Sequence, residues 1–137
     1  MKLHNKLIML ASAATLTFGA FTLPAYADEA PYTVTNGNEL DADSYKGFKL
    51  YRNWCARCHG TYGQGMVGPN LADSLNVISK EEFFQTVENG KSGTIGSMPA
   101  WKANVKVMEG REKLYSYLKA RADGAIGVEK PKKSKNK

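Results

Sequence analysis

The five-residue segment Cys55–His59, with the sequence CARCH, constrains this 137-residue chain more than any other part of it. Two cysteines three positions apart place their sulfurs on one face of a helical turn, and the next residue adds an imidazole. Three kinds of chemistry use such residues: covalent attachment of a haem, thiol–disulfide exchange, and half of a zinc site. A histidine directly after the second cysteine favours haem attachment.

The two other hypotheses find less support in the rest of the chain. A structural zinc site takes four ligands, but the sequence holds no further cysteine, and its one other histidine is His4. A thioredoxin-like site lies in a βαβ pattern, which this sequence does not show. Thiol oxidoreductase chemistry at Cys55 and Cys58 remains the remote alternative.

Residues 1–27 are predicted to be a cleaved signal peptide. Lys2 and Lys6 give a positive start, residues 7–23 carry no charge, and residues 25–27 have the small-x-small form of a signal-peptidase site. A retained membrane anchor is the alternative, although threonine, glycine and proline dilute the uncharged run and no positive cluster follows it. We therefore expect export to the periplasm, without stable membrane insertion after cleavage.

Residues 28–128 are predicted to form one small domain, followed by a lysine-rich, disordered tail over residues 129–137. The domain contains twelve basic and twelve acidic residues, whereas the tail contains five lysines and one glutamate. The excess of positive charge in the exported chain is therefore located in the tail. A basic isoelectric point of this origin, in an exported protein, does not indicate nucleic-acid binding.

Capping residues and apolar spacing predict two helices, one before the middle of the chain and one after it. The first begins at an aspartate, Asp41 or Asp43, and carries an aromatic residue at every third position of one face. The second begins with the capping box Ser79–Glu82 and ends before Gly90.

A glycine in the first helix indicates that another helix packs closely against it. Gly47 costs about 1 kcal/mol relative to alanine at a mid-helix position, and close packing is the usual reason for such a residue. An exposed, tolerated glycine is the alternative. The candidate partner is a helix over residues 109–121, with Leu114, Tyr117 and Leu118 on one stripe.

The Cys-x-x-Cys-His segment and a first helix that crosses the last at a glycine resemble the class I c-type cytochromes. The resemblance covers about residues 41–122. It implies an all-α fold of about three to five helices wrapped around one covalently bound haem, with crossing N- and C-terminal helices. It also implies thioether bonds from Cys55 and Cys58, His59 as an axial ligand of the iron, and electron transfer instead of enzyme activity.

The glycine-rich segment after the motif contains a second family feature. Glycines allow backbone to pass close to a flat ligand, and residues 68–71, Gly-Pro-Asn-Leu, resemble the family segment whose proline carbonyl binds the ligating histidine. In a metal-bound imidazole, the second ring nitrogen does not bind the metal and needs such a hydrogen-bond partner. The resemblance assigns this role to Pro69, and an ordinary turn proline is the alternative.

The segment from Lys91 to Trp101 supplies the candidate for the second axial ligand. Met98 precedes a proline, which favours extended backbone, and Met-Pro-x-aromatic resembles the axial-methionine motif of the family. The competitors are Met66 and Met108, which are expected to be packing residues, and an iron position without a protein ligand. If histidine and methionine both bind, the iron has no free position and the product is an electron carrier.

The chain from Met98 to Gly127, followed by the lysine-rich tail, resembles a narrower group of small periplasmic cytochromes. Those proteins accept electrons from dehydrogenases of methanol or ethanol that contain pyrroloquinoline quinone (PQQ). The resemblance implies a PQQ-dependent alcohol dehydrogenase as the donor and a terminal oxidase or another cytochrome as the acceptor. A general periplasmic carrier, not tied to alcohol oxidation, is the alternative. The tail lysines are expected either to attract an acidic partner or to act only as a solubilising tail.

Overall fold

The computed structural model describes residues 29–94 and 96–135, so the predicted signal peptide lies outside the described residues. The described residues form the predicted all-α fold, with three helices of ten or more residues, three short helices and five two-residue strands. No helix within these residues has the length and apolar character needed to cross a membrane. The helices are α1 Ala42–Trp54, α2 Ala56–His59, α3 Leu71–Ser74, α4 Lys80–Asn89, α5 Val105–Glu109 and α6 Arg111–Ala122. The strands are β1 Val34–Thr35, β2 Glu39–Leu40, β3 Lys91–Ser92, β4 Ser97–Met98 and β5 Lys132–Lys133.

Helix α1 begins at Asp41, the first of the two predicted caps. One carboxylate oxygen of Asp41 accepts hydrogen bonds from the backbone N–H groups of Asp43 and Ser44, both at 2.9 Å. The other oxygen accepts from the Ser44 hydroxyl at 2.6 Å and from the Thr33 N–H at 2.8 Å. The cap therefore also attaches the N-terminal arm to the helix.

Helices α1 and α6 cross with their backbones in contact at Gly47, as the mid-helix glycine predicted. A Cβ atom at this position would lie 1.8 Å from the carbonyl oxygen of Lys113 and 2.4 Å from its carbonyl carbon. Aromatic rings surround the contact: the Tyr117 ring centroid lies 5.3 Å from that of Phe48 and 5.4 Å from that of Tyr51. The crossing forms the centre of the buried core.

Helix α4 has the predicted limits, but the predicted last helix is divided. The hydroxyl of Ser79 accepts from the Glu82 N–H at 3.1 Å, and α4 ends before Gly90, whose φ is +76°. The expected helix over residues 109–121 is interrupted at Gly110, which separates α5 from α6. The Leu50 side chain packs against Gly110, where a Cβ atom would lie 2.5 Å from Leu50 Cδ2. A larger residue at this junction would require the Leu50 side chain to move.

The lysine-rich C-terminal segment differs from the expected disordered tail, because β5 pairs in parallel with β2. The Lys132 N–H donates to the Asn38 carbonyl at 2.9 Å, and the Ser134 N–H donates to the Leu40 carbonyl at 2.7 Å. Pro131, immediately before the strand, is fully buried. Two backbone hydrogen bonds and the burial of a proline ring therefore hold this segment in place despite its charge.

Replacement of the α1 cap should destabilise the protein in a pH-dependent way. Burial tends to raise the pKa of Asp41, but hydrogen bonds from Ser44, Thr33 and Asp43 outweigh it, so the pKa is lowered. A pKa lower in the folded than in the unfolded chain gives stabilisation that is present above about pH 4 and is lost as the pH falls further. Asp41→Ala should lower the free energy of unfolding by about 1–2 kcal/mol at pH 7.

The measurement is chemical denaturation of the Asp41→Ala variant and the parent protein between pH 7 and pH 3. The difference between them should decrease below about pH 4. Glu81→Ala, at an exposed first-turn position of α4, is the control and should change stability by less than about 0.5 kcal/mol. A difference that does not vary with pH would contradict a role for the ionised carboxylate.

Addition of one methyl group at Gly47 should separate α1 from α6. The methyl group of Gly47→Ala would overlap the Lys113 carbonyl, which is backbone and cannot rotate away. The expected loss is at the upper end of the range of about 1–3 kcal/mol for overpacked cores. Thermal unfolding measures it, with Gly96→Ala as the control because no atom lies within 4 Å of a Cβ there. Equal melting temperatures for the two variants would contradict the close contact.

Candidate functional site

The two cysteines and the histidine of the CARCH segment lie around the short helix α2. Cys55 connects α1 to α2, and Cys58 and His59 occupy the last turn of α2. Cys58 is exposed and Cys55 is partly buried, while His59 is only 7% exposed. One turn of the chain therefore presents two thiols and an imidazole, with one thiol at the surface.

The carbonyl group of Pro69 lies beside the ring of His59, as the family resemblance implied. The distance from His59 Nδ1 to the Pro69 oxygen is 2.9 Å. A carbonyl oxygen can only accept a hydrogen bond, so Nδ1 carries the proton and Nε2 is free to bind a metal. A Cβ atom at Gly68 would lie 2.8 Å from both Cε1 and Nδ1 of the ring, so the backbone packs directly against the imidazole.

Three side chains hold the loop that leads from His59 toward Pro69. We call them the carbonyl clamp, because each donates a hydrogen bond to one of three successive backbone carbonyls. The pairs are Tyr51 with Gly60, Arg52 with Thr61 at 3.3 Å, and Arg121 with Tyr62 at 2.9 Å. Two of the donors lie on α1 and one on α6, so the crossing of these helices determines the position of the loop.

Arg121 is the buried cation of the carbonyl clamp. The residue is 7% exposed, and its Nη1 also donates to the Ile126 carbonyl at 2.8 Å. Buried charges require hydrogen-bond partners, and here two carbonyl groups supply them. The sequence alone does not indicate this role, because an arginine near the C-terminal end of a helix is a common surface residue. Its partners, Tyr62 and Ile126, are visible only in the tertiary structure.

The electrostatic environment of Cys55 does not favour thiol–disulfide exchange. Burial, and secondarily the proximity of Cys58, raises the pKa of the Cys55 thiol to about 12. Thiol exchange requires a thiolate, and reactive cysteines have lowered pKa values. For the zinc hypothesis, no group of three or more His, Cys, Asp or Glu side chains able to hold a metal occurs among residues 29–94 and 96–135.

Met98 lies on a separate element from the CARCH segment. It belongs to β4, which pairs with β3 in an antiparallel hairpin after α4, with Met98 opposite Lys91. The side chain is partly buried and packs against the core. Among the competitors, Met66 is 65% exposed in the loop after His59, and Met108 lies on α5. Met98 thus has the extended backbone that its following proline predicted.

Two tryptophans pack between these two parts of the chain. Trp54 precedes Cys55, Trp101 follows the β3–β4 hairpin, and their ring centroids are 5.6 Å apart in an edge-to-face arrangement. The backbone N–H of Trp101 donates to the Val87 carbonyl at 3.0 Å, which attaches this segment to α4. Both tryptophans line an open groove of about 480 Å³ that also includes residues 100 and 103–106.

The chemistry of these donors fits a covalently attached haem. Cys55 and Cys58 could add to the vinyl groups, and the free Nε2 of His59 could bind the iron. The Met98 thioether, carried by a different element, is a suitable soft ligand. The packing of Gly68 backbone against the imidazole gives the histidine the fixed orientation that a metal ligand needs.

Comparison with known proteins agrees with this chemistry. Residues 42–118 match the family model described as cytochrome C oxidase, cbb3-type, subunit III. The chain is 38% identical over 134 residues to cytochrome c-555 of Methylococcus capsulatus, covering 93% of this chain and 98% of that protein. It is 28% identical over 117 residues to cytochrome c-553I of Paracoccus denitrificans, covering 81% of this chain and 52% of that protein. The crystal structure of the c-type cytochrome XoxG from Methylobacterium extorquens AM1 aligns with a TM-score of 0.71 and 39% identity, covering 77% of this chain and 67% of that one.

Removal of the buried cation of the carbonyl clamp should loosen the loop that holds His59. Arg121→Met leaves the Tyr62 and Ile126 carbonyls without their donor, so we expect a loss of about 1.5–3 kcal/mol in unfolding free energy. Hydrogen exchange should also accelerate at the Gly65 amide, which donates to the His59 carbonyl at 2.8 Å.

The matched control is Arg111→Met, which removes an arginine of α6 that pairs with Glu88. This variant should leave hydrogen exchange at Gly65 unchanged. If both variants accelerated exchange at Gly65 equally, Arg121 would have no specific role in holding the loop.

Proposed function

Because this chain belongs to the class I c-type cytochromes, one-electron carriers with a covalently bound haem, we propose that it accepts electrons from a PQQ-dependent alcohol dehydrogenase in the periplasm. It then passes them toward a terminal oxidase or another cytochrome. The chain has one CARCH segment, so it is a monohaem carrier. The observation that carries the proposal is the similarity to cytochrome c-555 over 98% of that protein's length, together with the resemblance of residues 98–127 to the acceptors of these dehydrogenases.

The proposed haem site consists of four side chains. Cys55 and Cys58 would form the thioethers, and His59 Nε2 and the Met98 thioether would bind the iron. The bound haem supplies a one-electron couple at its iron. With His59 and Met98 both bound, the iron would offer no free position to a substrate, as a carrier requires.

The chain's own residues determine the properties of this couple. Pro69 accepts a hydrogen bond from His59 Nδ1, which fixes the imidazole and raises its basicity. The Met98 thioether is a soft ligand that favours the reduced iron and raises the potential. The carbonyl clamp, anchored on two helices, keeps the histidine side rigid when the charge of the iron changes.

Electron exchange takes place where the turn that carries Cys55 and Cys58, which we call the attachment turn, reaches the surface. Cys58 is exposed, and Trp54, adjacent to Cys55, is 38% exposed. A partner can therefore approach this side of the molecule without opening the core. Electron-transfer encounters of this kind use small, weak interfaces, so a modest exposed area is sufficient.

A general periplasmic carrier that supplies an oxidase is the second candidate function. The description of the matching family model, a subunit of a cbb3-type cytochrome c oxidase, favours a role close to an oxidase. The two candidates differ in the donor and not in the haem chemistry. The thiol oxidoreductase alternative is disfavoured by the raised pKa of the Cys55 thiol.

Stopped-flow reduction of the oxidised, haem-loaded mature protein tests the proposed donor. An alcohol-reduced quinoprotein dehydrogenase from the same organism should reduce it rapidly and with saturation. Slow reduction by that enzyme, together with fast electron delivery from other donors to an oxidase, would contradict the proposal and support the general carrier. The mass of the same sample should correspond to a chain that begins at Asp28 and carries one haem.

The Met98→Ala variant tests the second axial ligand. Loss of the thioether should lower the reduction potential, abolish the sulfur-to-iron charge-transfer band of the oxidised protein, and allow carbon monoxide to bind the reduced protein. Met66→Ala and Met108→Ala are matched controls that should retain the band. If one of the controls lost the band and Met98→Ala kept it, the ligand would be that other methionine.

A further inference from the structure

The lysine-rich end of the chain forms a fixed basic strand. We call residues 130–135, which contain β5, the lysine strand. Its four lysines, Lys130, Lys132, Lys133 and Lys135, are all exposed. The backbone is held by the buried Pro131 and by the hydrogen bonds from Lys132 and Ser134 to β2. The backbone that carries these positive charges therefore has a defined position on the surface of the molecule.

The lysine strand also forms one edge of a sheet. In the described part of the chain the strand order is β1-β2-β5, so β5 has a partner on one side. The Lys132 and Ser134 N–H groups point toward β2. Because N–H and C=O groups alternate in direction along a strand, the backbone of Lys133 faces away from β2. Such an edge can pair with one further extended segment.

The charge of this edge determines what can pair with it. Nearby acidic groups are Glu39, opposite Lys132 in the register, and Glu129. Within residues 29–94 and 96–135, none of the four lysines lies within 4.0 Å of a carboxylate oxygen, whereas six other ion pairs meet that criterion. Residues 28–128 are balanced in charge, so the lysine strand is a local excess of positive charge.

We propose that the lysine strand binds an extended acidic segment of a partner protein. Backbone hydrogen bonds at the outer edge of β5 align the segment, and its carboxylates lie beside the lysine ammonium groups. A second copy of this chain is disfavoured, because two lysine strands would repel each other. An anionic membrane could attract the lysines, but lipid headgroups do not match the directional backbone N–H and C=O groups of Lys133 at the strand edge.

The position of the lysine strand leaves the proposed electron-exchange surface accessible. Its partner strand β2 ends at Leu40, next to the start of α1, whereas Cys55 follows the other end of α1. A thirteen-residue helix is about 20 Å long. An acidic segment bound at β5 can therefore attract and hold a partner while the attachment turn stays open. That the partner is the electron donor rests on the proposed function.

The direct test uses an isotope-labelled, haem-loaded mature protein and a short synthetic peptide of alternating glutamate and threonine. At low salt the peptide should shift the NMR signals of β5 and β2 amides, most strongly at Lys133, and added salt should weaken binding. The Lys132→Gln/Lys133→Gln variant should bind about threefold to tenfold more weakly, since each exposed ion pair contributes little.

The matched control is Lys46→Gln/Lys49→Gln, which removes two exposed lysines of α1 and gives the same net charge. It should bind the peptide like the parent protein. Equal weakening in the two variants would show that only net charge matters and would overturn the proposal. A peptide of alternating glutamine and threonine that shifted the same signals equally would also overturn it, because the lysines would then have no role.

Two further samples test the other occupants. Vesicles of equal parts phosphatidylglycerol and phosphatidylcholine that bind the lysine strand, with no binding of the acidic peptide, would identify a membrane surface and overturn the proposal. Concentration-dependent dimerisation through β5 would also overturn the proposal, because it would identify a second copy of this chain as the occupant. If the peptide binds as expected but the alcohol dehydrogenase does not reduce the protein, the proposed donor is wrong while the acidic-segment site stands.

Discussion

The backbone contact between α1 and α6 at Gly47 is the constraint on which the rest of the structure depends. The helices approach so closely that a methyl group at this glycine has no room beside the Lys113 carbonyl. This approach brings Tyr51 of α1 and Arg121 of α6 to the same loop, where they bind the carbonyls of Gly60 and Tyr62. The packing of two helices therefore positions the loop of the haem site.

The loop transmits this rigidity to the histidine. The Gly65 N–H donates to the His59 carbonyl, and the Gly68 N–H donates to the Cys58 carbonyl, both at 2.8 Å. The chain then reaches Pro69, whose carbonyl accepts from the imidazole. In an electron carrier the ligand set should change little when the iron changes its charge. A histidine held through its backbone and its ring satisfies this requirement.

Features that depend on local chemistry could be predicted from the sequence. The helical turn of the CARCH segment, the Ser79 cap and the close packing at the mid-helix Gly47 each depend on a few neighbouring residues, and the structure contains all three. Features that depend on distant partners could not be predicted. In the sequence Arg121 has the features of a surface cation, and only the fold shows that it binds the Tyr62 carbonyl. The lysine-rich segment has the composition of a disordered tail, and only the fold shows that Pro131 is buried and that the strand pairs with β2.

The central claim is that protein ligands fill both faces of one haem, so that the chain only carries electrons. The most direct test is an equilibrium redox titration of the haem-loaded mature protein, with and without carbon monoxide. We expect a single one-electron step whose midpoint and spectra are the same in both samples, because the reduced iron has no free position. A midpoint raised by carbon monoxide, with a new spectrum of the reduced protein, would show an open iron position and contradict the claim.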